Sequence, residues 1–381
     1  MPFHLALFQM ICISDIIRVP TGKRGGAYKS TPPEELMAFL LRKVYERNHL
    51  QEEQIEILLG NSIGTLGNMA RNAAIRAGLP DSLKSTTIDF QCGGTYEAIR
   101  LARALCYSEV SPIVIAGGME SNSLMPERYY AKKDPRRGEG ERISVAEFSP
   151  FHDGDLRKAA TQLAYKYEVE KKQMRSWTLR SHQLAASFLN SLAYGQYVLP
   201  FNKATGKDET LRTSLNENTL KKVESAELID RTNTAHFHDG AGLVLMGTEN
   251  TLKMHGLPVL AKIVDISIVG ISPDQAPEGC ITAAAALLKN NGLDSNDIDL
   301  FEVNESFAVK PLAFMKHFGL DDSKVNVYGG NLAMGHPYAA SGIINILNMV
   351  LALKEKRLKF GLVSAGIAGG YGAAILLENA E

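Results

Sequence analysis

Three residues of this 381-residue chain have the types and settings that acyl transfer through a thioester requires. Cys92 opens a Cys-Gly-Gly turn before a helical pattern, and a helix N-terminus favours the nucleophilic thiolate. His336, in a Gly-His-Pro turn, offers a base, and the side-chain amide of Asn304 can fix a water or a carbonyl. Cys92 also fits the role of a small buried hydrophobic residue, and Asn304 that of a helix N-cap. From local sequence, both interpretations of each residue stay open.

The elements that must position these residues are short β-rich runs that alternate with helical patterns. In the first region we predict strands at 11–19, 55–60, 85–90 and 113–117, and helices at 33–48, 68–78 and 95–108. In the last region we predict strands at 260–269, 298–303, 360–365 and 373–378, and helices at 280–290, 306–318 and 340–354. This alternation is typical of a buried, mixed or parallel sheet covered by helices. Because both regions carry a strand, a glycine-rich turn and a helix, we predict a duplicated α/β unit.

The middle of the chain differs in composition from both ends. It contains the basic stretch 128–142, a helical pattern over 158–190 with the only tryptophan, and the polar run 202–218. We interpret residues 118–237 as an inserted loop domain. Residues 1–117, completed by 238–259, would then form the N-terminal half, and residues 260–381 the C-terminal half.

Bulk composition is ordinary for a soluble globular protein. Hydrophobic residues make up 45% and charged residues 22% of the chain, and the formal net charge is −1, so no overall field favours nucleic acid or membrane. No apolar run is long enough to span a bilayer and the first residues lack a signal-peptide pattern, so we expect a cytoplasmic protein. The four cysteines are scattered, which indicates reduced thiols. Cys12 and Cys106 lie on apolar patterns and are predicted to be core, whereas Cys280 is a weaker functional candidate.

Five stretches, in order along nearly the whole chain, resemble the thiolases, which are acyl-CoA C-acyltransferases. They are residues 18–26, Gln91-Cys92-Gly93-Gly94, residues 116–121, residues 304–308 and residues 331–342, with a weaker sixth match at 238–242. The resemblance implies a duplicated five-layered α/β/α/β/α fold with an inserted loop domain. It also implies a homodimer or homotetramer, coenzyme A thioesters as substrates, and no covalently bound cofactor.

The same resemblance implies a role for each site residue. Cys92 would be the nucleophile that takes the acyl group from acetyl-CoA or another acyl-CoA, and His336 would activate it. His336 and a water held by Asn304 would form one oxyanion site. The backbone N–H groups of Cys92 and Ala368 would form the other.

The chain departs from the thiolase pattern in its last glycine-rich segment. Thiolases carry there a second cysteine that moves the α-proton of the second acyl-CoA, and this chain has Gly366 at that position. Loss of a positioned acid–base group typically costs ~10²–10⁴-fold in rate, so we expect weak condensation and thiolysis. Ser364 is a poor base on its own, Tyr371 is a candidate substitute, and Gly366→Cys is expected to raise thiolysis.

The coenzyme A side departs from the pattern as well, because His238-Asp239-Gly240 stands where thiolases have Asn-Asp-Gly. The residues that bind coenzyme A are therefore not identified. Five basic residues could meet its phosphates or belong to a solvated loop: Arg128, Lys132, Lys133, Arg136 and Arg137. His236, His238 and Asp239 suggest a metal site, but no clear third and fourth ligand follows, and we predict none.

Three functions are consistent with these observations. The first is a thiolase-like acyltransferase that acylates Cys92 readily but condenses weakly. The second resembles the decarboxylating ketosynthases, which use one cysteine and obtain the carbanion by loss of CO₂. The third is a non-catalytic thiolase homologue that binds acyl-CoA.

Overall fold

The computed structural model describes residues 9–50, 55–64, 66–108, 110–139, 142–143, 155–202 and 206–380. Its strands are β1 (Ile11–Arg18), β2 (Gly22–Lys23), β3 (Ile55–Gly60), β4 (Lys84–Ile88), β5 (Ile113–Glu120), β6 (Arg128–Tyr129), β7 (Arg142–Ile143), β8 (His238–Thr248), β9 (Ala261–Gly270), β10 (Leu300–Val303), β11 (Phe360–Ile367) and β12 (Tyr371–Asn379). Its α-helices are α1 (Pro33–Asn48), α2 (Met69–Arg76), α3 (Gly94–Tyr107), α4 (Asp155–Lys166), α5 (Lys171–Leu189), α6 (Leu192–Tyr197), α7 (Glu217–Lys221), α8 (Glu249–Met254), α9 (Gly279–Asn290), α10 (Val309–Phe318), α11 (Asn331–Met334) and α12 (Ser341–Lys356).

The strand pairing repeats between the two ends of the chain. In the N-terminal part the order is β1-β8-β5-β3-β4, in which β8 is antiparallel to β1 and β5, and β3 is parallel to β5 and β4. In the C-terminal part the order is β9-β12-β11-β10, with β12 antiparallel to both neighbours and β11 parallel to β10. The two sets meet where residues 11–13 of β1 pair with residues 261–263 of β9. This repeat confirms the predicted duplicated α/β architecture.

Helices cover the strands in three layers. Helices α3 and α12 pack against each other and against strands of both halves, and so form the central layer. Helices α1 and α2 cover the N-terminal strands, while α9 and α10 cover the C-terminal strands. Three buried apolar clusters fill the spaces between these layers, so each of the two sets of strands is covered on both faces. The arrangement is the expected five-layered α/β/α/β/α order.

Most predicted elements have bounds close to those observed. Helix α1 and strand β3 have the predicted bounds, whereas α10 begins at Val309 rather than at residue 306. The predicted helix over 158–190 was wrong as a single element, since it splits into α4 and α5. Glu168 between them has a positive φ of 50°, and the backbone N–H of Glu170 donates to the Gln173 side chain at the start of α5. Within the described residues, no helix is both long and apolar enough to cross a membrane.

Candidate active site

Cys92 lies in a single turn of 3-10 helix between strand β4 and helix α3. A side chain at Gly93 would overlap Ile367, and a Cβ atom at Gly94 would lie 2.8 Å from the Cβ atom of Ala339. The two glycines therefore allow the turn that carries Cys92 to pack directly against two segments of the C-terminal half.

The half-buried thiol of Cys92 experiences opposing influences. Burial is the largest and raises the pKa of the Cys92 thiol. The charge of Lys310 and hydrogen bonds from the backbone N–H groups of Ala368 and Cys92 act in the other direction, by stabilising the thiolate. Because burial prevails, the thiol needs a base to become a nucleophile, and its position at the helix N-terminus is not sufficient.

His336 follows α11 in a turn that requires glycine. Gly335 has a φ of +95°, and a Cβ atom there would lie 2.6 Å from the His238 ring. The His336 ring is 5% exposed, and its Nδ1 atom lies 2.7 Å from the Ser341 hydroxyl. Burial, with the charges of Lys310 and His238, lowers the pKa of His336 to about 3, so the imidazole is neutral. If Nδ1 carries the ring proton and donates a hydrogen bond to the Ser341 hydroxyl, Nε2 is unprotonated and can accept a proton.

Cys92 and His336 line the same cavity, of about 840 Å³. The cavity also reaches Gly366 and Ala368, at the end of β11 and in the turn that follows. Residues separated by more than 240 positions in the sequence thus meet at one opening. Three of the residues expected to act in catalysis, Cys92, His336 and Ala368, thus lie on one wall with Gly366, the position of the missing cysteine.

Asn304 lies beneath the cavity wall rather than on it. It is 1% exposed, and its Nδ2 atom donates to the side-chain oxygens of Asn331, at 3.0 Å, and Asn345, at 3.4 Å. Its Oδ1 atom accepts from the Lys310 amine and from the Ser306 backbone N–H, both at 3.3 Å. Protein groups thus occupy all of its hydrogen-bonding positions. A water held by Asn304 would have to displace one of these partners.

Lys310 is a functional candidate that the sequence analysis missed. It lies in the first turn of α10, is 0% exposed, and its Nζ atom is 3.2 Å from the carbonyl oxygen of Gly366 and 3.1 Å from the Ser306 hydroxyl. Burial lowers the pKa of Lys310, while the neighbouring thiols of Cys280 and Cys92 act to raise it. The available signal was a lysine among the apolar residues of the buried face of α10.

Backbone atoms occupy the space into which a side chain at position 366 would project. A Cβ atom at this position would lie 2.5 Å from the carbonyl oxygen of Ala276 and 2.8 Å from that of Pro277. The two residues considered as substitutes for the missing cysteine do not lie on the cavity wall. The hydroxyl of Ser364 donates to the backbone of strand β12 and helix α9, and Tyr371 stacks against Phe90.

The basic residues expected near coenzyme A phosphates do not lie on the cavity wall. Arg128 donates to the Ser62 carbonyl, Arg136 pairs with Asp134 at 2.7 Å, and Lys132 and Lys133 are exposed; Arg137 likewise is absent from the wall. Four other arginines do line the cavity: Arg24, Arg142, Arg157 and Arg231. The expectation for these five residues is therefore not supported by their positions, although Arg142, the last residue of the basic stretch, is among the four arginines that line the cavity.

The segment His238-Asp239-Gly240 forms hydrogen bonds with residues that surround the site. The Nε2 atom of His238 lies 2.8 Å from the Thr210 hydroxyl, and the carboxylate of Asp239 accepts from the backbone N–H of Ser123 at 2.8 Å. Of the three residues considered for a metal site, His236 lines the cavity, whereas His238 and Asp239 do not. Among the described residues, no group of three or more His, Cys, Asp or Glu side chains is arranged to hold a metal ion.

A buried carboxylate that the sequence analysis did not assign supports the loop that carries Asn304. Glu305 is 0% exposed and accepts hydrogen bonds from Trp177 and Ser181 of α5, both at 2.7 Å, and from Asn326 at 2.9 Å. These bonds tie a helix of the middle region to the base of the site. The other cysteines are fully buried, with Cys12 and Cys106 in the core as predicted and Cys280 at the start of α9.

Comparison with known proteins gives a consistent result over nearly the whole chain. Residues 11–250 match the family described as "Thiolase, N-terminal domain", and residues 257–379 match "Thiolase, C-terminal domain". A Bacillus subtilis protein whose name marks its acetyl-CoA C-acetyltransferase activity as unproven is 32% identical, over 96% of this chain and 98% of that one. The acetyl-CoA acetyltransferase of Chromobacterium violaceum is 30% identical, over 95% and 97% of the two chains. The crystal structure of the Bacillus anthracis acetyl-CoA acetyltransferase superposes with a TM-score of 0.91 at 29% identity, covering 98% of this chain and 99% of the other.

Proposed function

We propose that this chain, which belongs to the thiolase family, transfers an acyl group from acetyl-CoA or another acyl-CoA to the Sγ atom of Cys92. The observation that supports this most is that Cys92 and His336 line one cavity. Two backbone N–H groups also lie within hydrogen-bonding reach of the Cys92 sulfur.

In the first half-reaction, His336 takes the thiol proton and the Cys92 thiolate attacks the acyl carbonyl carbon. The imidazole is neutral in the free enzyme, so its lone pair is available across the neutral pH range. The thiolate formed beside the imidazolium offsets part of the cost of burying that charge. The N–H groups of Cys92 and Ala368 stabilise the oxyanion, and one such donor is typically worth ~10²–10³-fold in rate. Coenzyme A then leaves as the thiol, with the proton from His336.

The second half-reaction is weakened because Gly366 provides no side-chain base. A thiolase uses a second sulfur there, and its loss lowers the rate of condensation and thiolysis by ~10²–10⁴-fold. The Ala276 and Pro277 carbonyl oxygens lie 2.5 and 2.8 Å from the position of a Cβ atom at residue 366, so a side chain cannot be placed there without a shift of backbone.

The arginines that line the cavity supply the positive charge that a coenzyme A phosphate needs. Arg142 and Arg157 face Glu127 and Glu227 at 3.6 and 3.5 Å, whereas Arg24 and Arg231 form no ion pair within the described residues. The latter two are therefore our first candidates for phosphate contacts.

A decarboxylating reaction is the second candidate function, and the observation that favours it is that residue 366, a glycine, provides no side-chain base. Loss of CO₂ from a malonyl thioester generates the carbanion without a base at this position. Condensation with malonyl-CoA but not with acetyl-CoA would select this function over thiolase-type condensation.

The test of the proposed function is the intact-protein mass after incubation with acetyl-CoA or acetoacetyl-CoA. We expect an acetyl adduct on the wild-type protein and on Cys280→Ala, but none on Cys92→Ala. Hydroxylamine should remove the adduct, because a thioester is cleaved whereas an acetylated lysine is not. A folded wild-type protein that gives no adduct would refute the proposal and favour a non-catalytic acyl-CoA-binding protein.

A further inference from the structure

The buried amine of Lys310 has three oxygen partners and no counter-ion. Its Nζ atom lies 3.1 Å from the Ser306 hydroxyl, 3.2 Å from the Gly366 carbonyl oxygen and 3.3 Å from the Asn304 side-chain oxygen. It is 0% exposed, and no carboxylate of the described residues lies within ion-pair distance. A buried ammonium without a carboxylate partner is costly, so this environment favours the neutral amine.

The chemistry of the three partners orients the lone pair of that neutral amine. A neutral amine has two N–H donors and one acceptor position. The Gly366 carbonyl can only accept, and the Asn304 oxygen is fixed towards Lys310 because its Nδ2 atom donates to Asn331. The Ser306 hydroxyl is the one partner able to donate. The lone pair of Lys310 therefore faces Ser306.

The protonation state of Lys310 depends on neighbouring charges that change during the reaction. Lys310 lies in the first turn of α10, where the helix dipole disfavours a cation. The titratable groups that act on it or that it acts on are Cys92, Cys280 and His336. The Cys92 thiolate that forms when His336 takes the thiol proton would favour the ammonium, whereas the acylated sulfur carries no charge. In the acyl-enzyme, no thiolate at Cys92 therefore holds the proton on Lys310.

Ser306 connects this amine with the cavity. Its half-buried side chain lines the wall, together with Cys92 and Gly366. We propose that the Ser306 hydroxyl, backed by Lys310, is the acid–base group that moves the α-proton of the second acyl-CoA. Cys280 is a poorer candidate, because it is fully buried, does not line the cavity, and points its thiol at the Pro277 carbonyl, 3.3 Å away.

This inference rests on the proposed function, since it concerns the half-reaction after acylation of Cys92. The α-C–H bond of acetyl-CoA breaks as its proton passes to the Ser306 oxygen, while the Ser306 hydroxyl proton passes to the Lys310 amine. The resulting enolate carbon attacks the acyl carbon on Cys92, and the Cys92 thiolate leaves. The ammonium then returns its proton through Ser306 to that thiolate. The sum is acyl-enzyme plus acetyl-CoA giving 3-oxoacyl-CoA and free Cys92, with no oxidant or further reactant.

The test is the exchange of methyl hydrogens of acetyl-CoA for deuterium in D₂O, measured by mass spectrometry of the recovered acetyl-CoA. The wild-type protein should catalyse exchange above the rate without protein. Ser306→Ala should lower this rate by about 10²-fold, as loss of an acid–base group does. Lys310→Arg should lower it equally, because arginine is also a long basic side chain but does not lose its proton and so cannot accept one from Ser306. Lys316→Met, on the exposed side of the same helix, should exchange like the wild type.

The pH profile separates proton transfer from a structural role. Wild-type exchange should rise with pH as Lys310 loses its proton, with a midpoint below the usual lysine value, and Lys310→Arg should lack this rise. Intact mass measures acylation of Cys92 in each variant independently, and Lys310→Met serves if the arginine variant does not fold. Folded Ser306→Ala and lysine variants that exchange at the wild-type rate would overturn the inference, as would an acylated wild-type protein without exchange. Exchange that depends on Lys310, without a Cys92 adduct, would support the pair and refute the proposed function.

Discussion

The substitution Gly366→Cys restores the residue that thiolases have at this position, and the structure predicts that it does not restore activity. The new Cβ atom would lie 2.5 and 2.8 Å from two carbonyl oxygens, whereas ordinary van der Waals contacts begin at 3.4 Å. These oxygens belong to a 3-10 turn, Pro273–Glu278, that contains a second proline at Pro277. Backbone atoms must therefore move to admit the new side chain, and they move less readily than the flexible end of a side chain would.

Overpacking of this kind typically costs about 1–3 kcal/mol of folding stability. We therefore expect a melting temperature a few degrees below that of the wild type. Gly366→Ala is the matched control, since it introduces the same Cβ atom without the sulfur. Both variants should lose similar stability.

The assay is thiolysis of acetoacetyl-CoA by coenzyme A, followed alongside thermal unfolding. Neither variant should be faster than the wild type, in contrast to the expectation from sequence that the cysteine raises thiolysis. A Gly366→Cys protein with the wild-type melting temperature and thiolysis raised about tenfold or more would refute the reasoning. It would mean that the turn yields and that the missing sulfur alone limits turnover.

Three further predictions concern stability, pH and substrate binding. Arg18→Ala should lower the free energy of unfolding by about 3–5 kcal/mol in urea titrations, because it leaves the buried Asp208 carboxylate without the guanidinium that lies at 2.6 and 2.8 Å; a loss below about 1 kcal/mol would contradict this. Burial lowers the pKa of His238 to about 4, so as pH falls from about 6.5 the unfolded chain binds a proton that the folded protein does not, and the free energy of unfolding decreases. From pH 7 to 5, the free energy of unfolding of His238→Asn should therefore decrease by about 2 kcal/mol less than that of the wild type. Equal decreases would contradict the lowered pKa. Arg231→Ala should raise the KM for acetyl-CoA by roughly threefold, whereas Lys132→Ala, away from the cavity, should not; the reverse order would favour the basic stretch as the phosphate contact.

Local patterns predicted much of the fold. Helix α1 has the bounds that its apolar periodicity indicates, because it buries one face. Strand β3 also has the predicted bounds, as a short and mostly buried apolar run. The turn at Cys92 was predictable for a similar reason, since its two glycines mark a close approach of other segments. Strand β8, fully buried along its 11 residues, was not predicted as a strand, because its first half, His238–Gly242, contains an aspartate and two glycines, residue types that are depleted in strands.

The missed features of the site depend on contacts between distant segments. In the sequence, Lys310 is a single charged residue in a helical pattern, and only the tertiary structure shows that its amine reaches the carbonyl of Gly366. Likewise, glycine at position 366 suggests an empty place, but the turn at Ala276 fills it. Neither contact has a local sequence signal, because the first joins residues 56 positions apart and the second joins residues 90 positions apart.

The central claim is that an acyl group on Cys92 is an intermediate in transfer to and from coenzyme A. The most direct measurement isolates the protein after reaction with radiolabelled acetyl-CoA and then adds unlabelled coenzyme A. The account predicts that the label leaves the protein and returns as acetyl-CoA, and that Cys92→Ala retains no label at the first stage. Label that stays on the wild-type protein after coenzyme A is added, or label that binds equally to Cys92→Ala, would contradict it.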